Sequence, residues 1–311
     1  MRIVLALLLL LNGVFGAYNC NANTNRAVFY VTTNTNESTI SFFKNLKNET
    51  DKKNVSLKLI NINSDYLNRQ SDALYIAAGN RSFEYLLKEK ISAPVLAIFI
   101  SRLSFQQLRD TYSKDLTKSK ISAIFSDPSP IQQLYLTKSL FSNTKKTTVL
   151  ISKRTEFLIP DLKAAAEITG IPLYISEHRE NQNINKTLHN LQSAEVILAL
   201  PDSSIYNNRK TVDRIIFAAY RRNQSIIGFS REFVDAGGLA TVYSDSKHIQ
   251  SETLDAVKKY LVDGSLKSPT YPKLFDIEIN EDVVDSYNLI LPEKSALRKH
   301  IKQSLEACCE K

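Results

Sequence analysis

The stretch from residue 196 to residue 243 most strongly constrains the fold, because it contains three apolar runs separated by polar segments. The first run, Val196–Leu200, stops at a proline and an aspartate, which is typical of a strand buried on both faces. Apolar residues then recur at spacings of three and four, at Val212, Ile215, Ile216 and Ala219. Two further apolar runs follow, Ile226–Phe229 and Leu239–Tyr243. Strand, helix and strand in this order predict a βαβ unit of a parallel sheet.

The same alternation of strand and helix runs through the rest of the chain in two sets. Before Asp127 the predicted strands are Ala27–Thr33, Val55–Ile62, Ala73–Ala78, Pro94–Ile100 and Ile121–Phe125. A second set begins with a strand at Thr147–Ile151. The segment Ser126–Pro130 lies between the two sets, and proline at a strand end can mark a change of sheet. The sequence therefore predicts an α/β protein with two similar halves.

Residues 1–16 have the pattern of a secretory signal peptide. Arg2 gives a positive start, Ile3–Leu11 is apolar, and cleavage is expected after the sixteenth or the seventeenth residue. An uncleaved anchor is the alternative, although the apolar run is shorter than the ~20 residues that a membrane span needs. We therefore expect export to the periplasm. Lipid attachment at Cys20 is not expected, because the residues before it lack the small side chains of a lipoprotein signal.

The overall composition is that of a folded protein, with 43% hydrophobic and 23% charged residues. The 311-residue chain carries a formal net charge of +8, which becomes +7 (8 − 1) when the one arginine of the signal peptide is removed. Its lysines and arginines are spread along the whole sequence. We interpret them as solvated faces and expect no nucleic-acid partner.

The cysteines lie near the two ends of the chain, at Cys20, Cys308 and Cys309. An oxidising compartment would allow one disulfide and leave one thiol. A bond between the neighbouring Cys308 and Cys309 would be strained. We therefore expect Cys20 to pair with one of these two, and the sequence leaves open which.

Sequence signatures of enzymes are absent. The chain contains no Walker A motif, no G-x-G-x-x-G, no H-E-x-x-H and no G-x-S-x-G. Its four histidines, His178, His189, His248 and His300, are scattered without the spacing of metal ligands. We therefore expect neither catalytic activity nor a cofactor nor a metal site.

Five short segments together resemble a known family. They are Phe125–Pro128, Leu200–Asp202, Gly228–Ser230, Ala236–Ala240 and Pro272–Asn280. In this order and spacing they are similar to the substrate-binding proteins of ABC transporters of the tryptophan/tyrosine type. The similarity looks greatest to a proteobacterial branch without an assigned ligand, and it extends from about residue 72 to about residue 300.

The resemblance implies a type I periplasmic-binding-protein-like fold, in which two lobes close on a solute. Each lobe would be a doubly wound parallel sheet, and the chain would cross between the lobes at three hinges. Lobe one would take residues 26–125 plus 244–274, and lobe two would take residues 126–243 plus 275–311. Because such sheets bind ligands beyond the carboxyl ends of their strands, we expect the site in the cleft between the lobes.

The expected ligand contacts are polar side chains at strand ends on both sides of this cleft. Five of them are Asn80, Arg81, Arg102, Ser203 and Ser230. The resemblance adds Ser126, which matches a serine at the same place in the family. It also adds Asp202, because the matching aspartate of amino-acid-binding members helps to hold the ligand's amino group.

Some of these residues have a structural alternative. Arg81 and Arg102 could each bind a carboxylate through the planar guanidinium, or they could be solvated loop charges. Asp202 could cap a helix as well as contact a ligand. If Asp202 acts only as a ligand contact, Asp202→Ala should abolish the stabilisation by ligand and leave the unliganded melting point nearly unchanged.

We therefore predict an exported, monomeric solute-binding protein that captures a small molecule and presents it to an ABC permease in the inner membrane. An amino acid is one candidate ligand. The alternative is an envelope sensor or partner-activating protein that reuses the same fold without transport. Both predictions rest on analogy between folds, which does not fix a function by itself.

Overall fold

A computed structural model gives the three-dimensional arrangement of the chain. It describes residues 26–112, 121–141, 146–179, 182–191 and 193–309. The predicted signal peptide and Cys20 lie outside the described residues, so cleavage, lipid attachment and the disulfide stay untested predictions. Within the described residues, eleven strands form two separate sheets.

The first sheet is entirely parallel. Its strands are β1 (Val28–Thr32), β2 (Leu57–Asn61), β3 (Leu74–Ala78), β4 (Val95–Ile100) and β5 (Ile121–Phe125). They lie side by side in the order β2-β1-β3-β4-β5. The connecting helices are α1 (Glu37–Asp51), α2 (Asn80–Lys88) and α3 (Arg102–Tyr112). All five residues of β1 are buried, as expected for a central strand that is covered on both faces.

The second sheet has six strands, of which the last is antiparallel to its neighbour. The strands are β6 (Thr147–Ser152), β7 (Leu173–His178), β8 (Val196–Leu198), β9 (Ser225–Ile227), β10 (Ala240–Tyr243) and β11 (Asp276–Ile279). Their order is β11-β10-β9-β8-β6-β7. The remaining helices are α4 (Pro130–Leu140), α5 (Ile159–Thr169), α6 (Ile184–Asn190), α7 (Arg209–Tyr220), α8 (Arg231–Asp235), α9 (Ser246–Asp263), α10 (Glu281–Ser286) and α11 (Lys294–Cys309).

The chain passes between the two sheets three times. It leaves the first sheet after β5 and returns after β10 as α9, whose Ile249 and Val257 pack into the core of the first sheet. Thr270 then forms a parallel bridge with Ile124 of β5, before the chain crosses back to β11. The predicted α/β fold with two lobes and three crossings is confirmed. The residue limits given above for the lobes stay a prediction.

The strands predicted above all lie within two residues of the observed ones, and the helices show two differences with local causes. The sequence predicts Ser38 or Thr39 as the cap of the first helix. The cap of α1 is instead Asn36, whose side chain accepts a hydrogen bond from the Thr39 backbone N–H at 2.9 Å. The helix α8 was not predicted. Five residues are too few for a helical apolar period to be recognised.

Candidate ligand-binding site

Each sheet has one point at which the strand order reverses, so that the loops on either side of it diverge. In the first sheet β1 leads to β2 on one side, whereas β3 leads to β4 on the other. In the second sheet the same reversal lies between β6 and β8. Open parallel sheets bind ligands beyond the carboxyl ends of the strands at such points. The loops after β1, β3, β6 and β8 are therefore the candidate site.

A recess of about 290 Å³ lies at the reversal point of the first sheet. The loop Thr32–Asn34 after β1 and Gly79 after β3 both line it. Thr32 Oγ1 donates to Asn34 O at 2.9 Å and accepts from Asn34 N at 3.1 Å, which folds the loop onto its own strand end. Gly79 has a φ of +85°, which side chains disfavour, so this turn requires glycine. The recess therefore has a polar wall of hydroxyl and amide groups.

The opposite side of this recess is aromatic and contains a strained residue. Phe99 has a φ of +54°, and the pairing of β4 with β5 shifts in register between Ile98 and Ile100. The Phe99 ring packs edge-on against Phe42, with 4.9 Å between the centroids. This backbone conformation costs a non-glycine residue about 1–2 kcal/mol. Bulges of this kind re-aim side chains next to binding sites. The continuous apolar run of β4 gives no sign of a bulge.

Asp202 lies at the reversal point of the second sheet and is 1% exposed. Its Oδ2 accepts from Ser152 Oγ and from Thr155 Oγ1, both at 2.6 Å. Its Oδ1 accepts from the Ser204 N–H at 2.9 Å and from Ser204 Oγ at 2.6 Å. Although burial pushes the pKa of Asp202 upward, these hydrogen bonds outweigh burial and hold the pKa below its ordinary value. The carboxylate therefore ties the loop after β6 to the loop after β8.

The helix-cap alternative for Asp202 is wrong. Helix α7 begins at Arg209, and its cap is Asn208, which accepts from the Thr211 N–H at 3.0 Å. All four acceptor positions of the Asp202 carboxylate are already used by protein donors. A ligand amino group would have to replace one of these donors.

Arg102 starts α3 and reaches from the first half of the molecule to the second. Its guanidinium forms an ion pair with Asp161 of α5 and donates to the Tyr271 hydroxyl at 3.3 Å. It also lies over the rings of Phe157 and Tyr271, at 5.8 Å and 5.6 Å from the centroids. Arginine suits such a place, because it pairs with a carboxylate and stacks on rings at once. Arg102 is therefore not a solvated loop charge, and it already holds a carboxylate of the protein itself.

The backbone of Arg102 is fixed by a second buried aspartate. Asp127 is 8% exposed, and its Oδ1 accepts from the Arg102 N–H at 2.8 Å. Burial raises the pKa of Asp127 to about 6, although this hydrogen bond opposes the rise. The cap of α4 is Ser129 and not Asp127, whose carboxylate accepts instead from the first N–H of α3, across the first crossing.

Three further predicted contacts lie at exposed strand ends: Asn80 and Arg81 of lobe one, and Ser126 at the start of lobe two. Asn80 opens α2 and donates from Nδ2 to Ser104 Oγ at 3.2 Å, which connects the loop after β3 to α3. Arg81 is exposed in the first turn of α2. Ser126 is exposed just after β5, and its N–H donates to Ile100 O at 2.9 Å. Both Arg81 and Ser126 are accessible to a ligand.

The two remaining predicted contacts of lobe two differ in availability. Ser203 is exposed in the turn that follows Asp202. The Ser230 hydroxyl accepts from the Phe233 N–H at 3.2 Å and so caps α8. Among the described residues, no hydrogen bond or ion pair joins a predicted contact of one lobe to a predicted contact of the other. Arg102 links the two halves instead through other partners, by its ion pair with Asp161 and by the bond of its N–H to Asp127.

The structure adds partners that sequence reasoning did not select. Ser152 and Thr155 flank the loop after β6, and that position past a strand end was the only signal for them. Asp161 is an acidic residue in the first turn of α5, a common feature of helices, and so it carried no signal of its contact with Arg102. Tyr271 lies in the linker before β11.

Solved structures with a similar fold cover most of this chain. A substrate-binding protein with adhesive properties from Clostridium difficile, in its ligand-free, open form, matches with a TM-score of 0.62 at 16% identity, over 86% of this chain and 96% of that one. The fold is that of the two-lobed periplasmic binding proteins. A conserved domain protein from Vibrio cholerae matches with a TM-score of 0.54 at 18% identity, over 88% and 98% of the two chains.

An ABC domain in complex with L-Trp from Streptococcus pneumonia has a similar fold as well. It matches with a TM-score of 0.52 at 16% identity, over 89% of this chain and 98% of that one. No protein-family model and no curated protein matches the sequence. At these identities the comparisons establish the fold.

The described part of the chain has neither a helix fit to span a membrane nor a cluster of metal-ligating side chains. None of its helices combines the length and the apolar character that crossing a bilayer requires. The same residues include no cluster of three or more His, Cys, Asp or Glu side chains placed to hold a metal ion.

Proposed function

We propose that this protein captures a small molecule between its lobes and presents it to an ABC permease. The observation that carries the proposal is Arg102, a lobe-one arginine that binds a lobe-two carboxylate, Asp161. A ligand carboxylate can replace that of Asp161 on the guanidinium, because both offer the same planar pair of oxygens. Capture would then exchange an internal ion pair for a contact with the ligand.

An amino acid is the ligand that this arrangement supports best. Its carboxylate would bind Arg102, and its amino group would bind Asp202 in place of one hydroxyl donor. The recess beside Phe99 would take part of the side chain. A ligand that contacts both lobes favours the closed arrangement by its higher affinity for that arrangement, and the permease would recognise the closed form.

A sensor without transport would use the same capture step and would differ only in the partner that recognises the closed form. Ligand-loaded protein should stimulate ATP hydrolysis by a reconstituted permease if transport is the role. A sensor would leave that hydrolysis unchanged.

The capture step can be tested by thermal denaturation of the chain without residues 1–16. The panel contains amino acids, sugars, nucleosides and small anions, and a true ligand at ~100 times its Kd should add about 2.7 kcal/mol to the free energy of unfolding. We expect Arg102→Ala to lose this gain. Arg109→Ala is the matched control, because Arg109 lies on the same helix with its guanidinium over a ring, that of Phe105, at 5.4 Å. Equal stabilisation of both variants would exclude Arg102 as a ligand contact.

A further inference from the structure

A surface groove of about 870 Å³ runs along α7. Its apolar lining includes Ile216, Phe217 and Tyr220 of α7, together with Val283 and Tyr287 near α10. Phe217 is 63% exposed and Tyr220 is 52% exposed, although both are large apolar side chains. Tyr220 also contacts the Tyr287 ring, with 5.7 Å between the centroids. Exposed apolar side chains that share one depression mark an interaction site, whereas single ones need no explanation.

One side of the groove lies just past the end of the short helix α8, at Ala236 and Gly237. Helix α7 joins β8 to β9, and α8 joins β9 to β10; both contribute to one apolar core, through Ile215 and Phe233. Helix α7 has 12 residues and α8 has five. At 1.5 Å per residue these lengths are about 18 Å and about 8 Å. Helix α8 is therefore less than half as long as α7, and the aromatic side chains Phe217 and Tyr220 of α7 stay exposed.

The α7 side of the groove is basic. Arg209, Lys210 and Arg214 line it, and among the described residues Asp213 is the one carboxylate that does so. Asp213 forms an ion pair with Arg209 at 3.4 Å, which leaves Lys210 and Arg214 as a local excess of positive charge. Just beyond the groove, the Arg221 guanidinium lies over the Phe217 ring at 5.9 Å. Arginine and aromatic side chains together are typical of the energetic centre of a protein interface.

We propose that this groove binds an acidic amphipathic helix of a partner protein. The apolar face of such a helix would cover Phe217 and Tyr220, and its carboxylates would lie against Lys210 and Arg214. The groove follows α7 for about 18 Å, which is the length of roughly three helical turns. This surface is separate from the ligand contacts of the proposed function, so the two proposals can fail independently.

Two other occupants fit the groove less well. A bilayer surface would meet protruding apolar side chains, whereas these side chains line a depression. A second copy of the chain would bring together two molecules that each carry a net charge of +7 (8 − 1) after removal of the signal peptide, and like charges repel. Concave shape and positive charge together favour an acidic helix.

The test uses a fluorescein-labelled 14-residue peptide, with leucine at positions i, i+3, i+4 and i+7 and glutamate at most of the others. Fluorescence anisotropy measures its binding to the chain without residues 1–16. We expect binding that weakens with added salt, and no binding of the same peptide with lysine in place of glutamate. Phe217→Ala and Arg214→Glu should each weaken binding at least tenfold.

Matched controls are available in the same half of the molecule. Tyr174 is 51% exposed with Lys146 Nζ over its ring at 4.9 Å, and Lys163 is exposed on α5. Tyr174→Ala and Lys163→Glu should keep the affinity for the peptide. Equal losses in test and control variants, or no binding of the glutamate peptide, would overturn the proposal.

Two further measurements separate the other occupants. Flotation with phosphatidylglycerol vesicles that depends on Phe217, without peptide binding, would show a membrane site instead. Sedimentation equilibrium that shows a dimer lost in Phe217→Ala would show that a second copy fills the groove. Either result would overturn the proposal, whereas a monomer that does not float and binds the glutamate peptide supports it.

Discussion

Two buried aspartates at the ends of strands have pKa values that are shifted in opposite directions. Asp202 follows β8 and is 1% exposed, and Asp127 follows β5 and is 8% exposed. The Asp202 carboxylate accepts from three hydroxyls and one N–H, and its pKa is lowered despite the upward effect of burial. The Asp127 carboxylate accepts from the Arg102 N–H, and burial raises its pKa to about 6.

The difference shows that hydrogen-bond donors can keep a carboxylate charged although burial disfavours the charge. Four donors replace the water that Asp202 lost on folding, so this group is a fixed anion that holds two loops together. Asp127 lies at a crossing between the lobes with fewer donors. Near pH 6 it therefore changes charge at a point that the lobes share.

The largest expected effect is that of Asp202→Ala on stability. The substitution removes the acceptor of the buried Ser152 hydroxyl and of both Ser204 donors, and it leaves the buried Thr155 hydroxyl with only the longer bond to Ser152 O at 3.3 Å. At about 1–3 kcal/mol for each buried group left unsatisfied, we expect a loss of about 4 kcal/mol. This replaces the expectation from sequence that the unliganded melting point would hardly change. Urea denaturation measures the loss. Asp213→Ala on α7, where the side chain is 53% exposed, should change stability by less than about 0.5 kcal/mol.

A smaller effect of opposite sign is expected for Asp127→Asn. The folded pKa of Asp127 lies above the ordinary value of 3.8, so its protonated form stabilises the fold at low pH, and that contribution is lost as the pH rises toward 6. Asparagine keeps an acceptor for the Arg102 N–H and cannot become charged. At pH 7.5 the variant should therefore be more stable than the wild type by about 3 kcal/mol, from 1.36 kcal/mol per pKa unit over the rise from 3.8 to about 6.

The pH profile of unfolding checks this sign. The advantage of Asp127→Asn should vanish near pH 4, where the wild-type carboxyl is protonated in the folded protein. Asp202 should show the reverse dependence, because its lowered pKa gives stability that is lost only as the pH falls below about 4. Asp235→Asn is the control, because the aspartate is exposed and a surface substitution should change stability by less than about 0.5 kcal/mol. An advantage of Asp127→Asn that is equal at both pH values would refute this assignment.

The sequence was sufficient to predict the order of strands and helices along the chain, because apolar runs and their spacing are local properties. Strand β5 was predicted at its observed limits, Ile121–Phe125. The contacts that distinguish the two aspartates are not local. Thr155 precedes Asp202 by 47 residues, and Asp161 follows Arg102 by 59 residues. Apolar spacing does not determine which polar loops meet, so the sequence indicated where the site lies but not how its charges pair.

The smallest expected effect on stability is that of Asp161→Asn, which removes the charge that Arg102 holds across the lobes. The Asp161 side chain is 42% exposed, so solvent screening keeps the loss below about 1 kcal/mol. A ligand carboxylate would no longer compete with Asp161 for Arg102, and its Kd should fall several-fold. Isothermal titration with a carboxylate ligand from the thermal screen measures this change. Glu167→Gln, at an exposed glutamate of the same helix, should leave the Kd unchanged. An unchanged Kd in Asp161→Asn would mean that the ligand and Asp161 do not share Arg102.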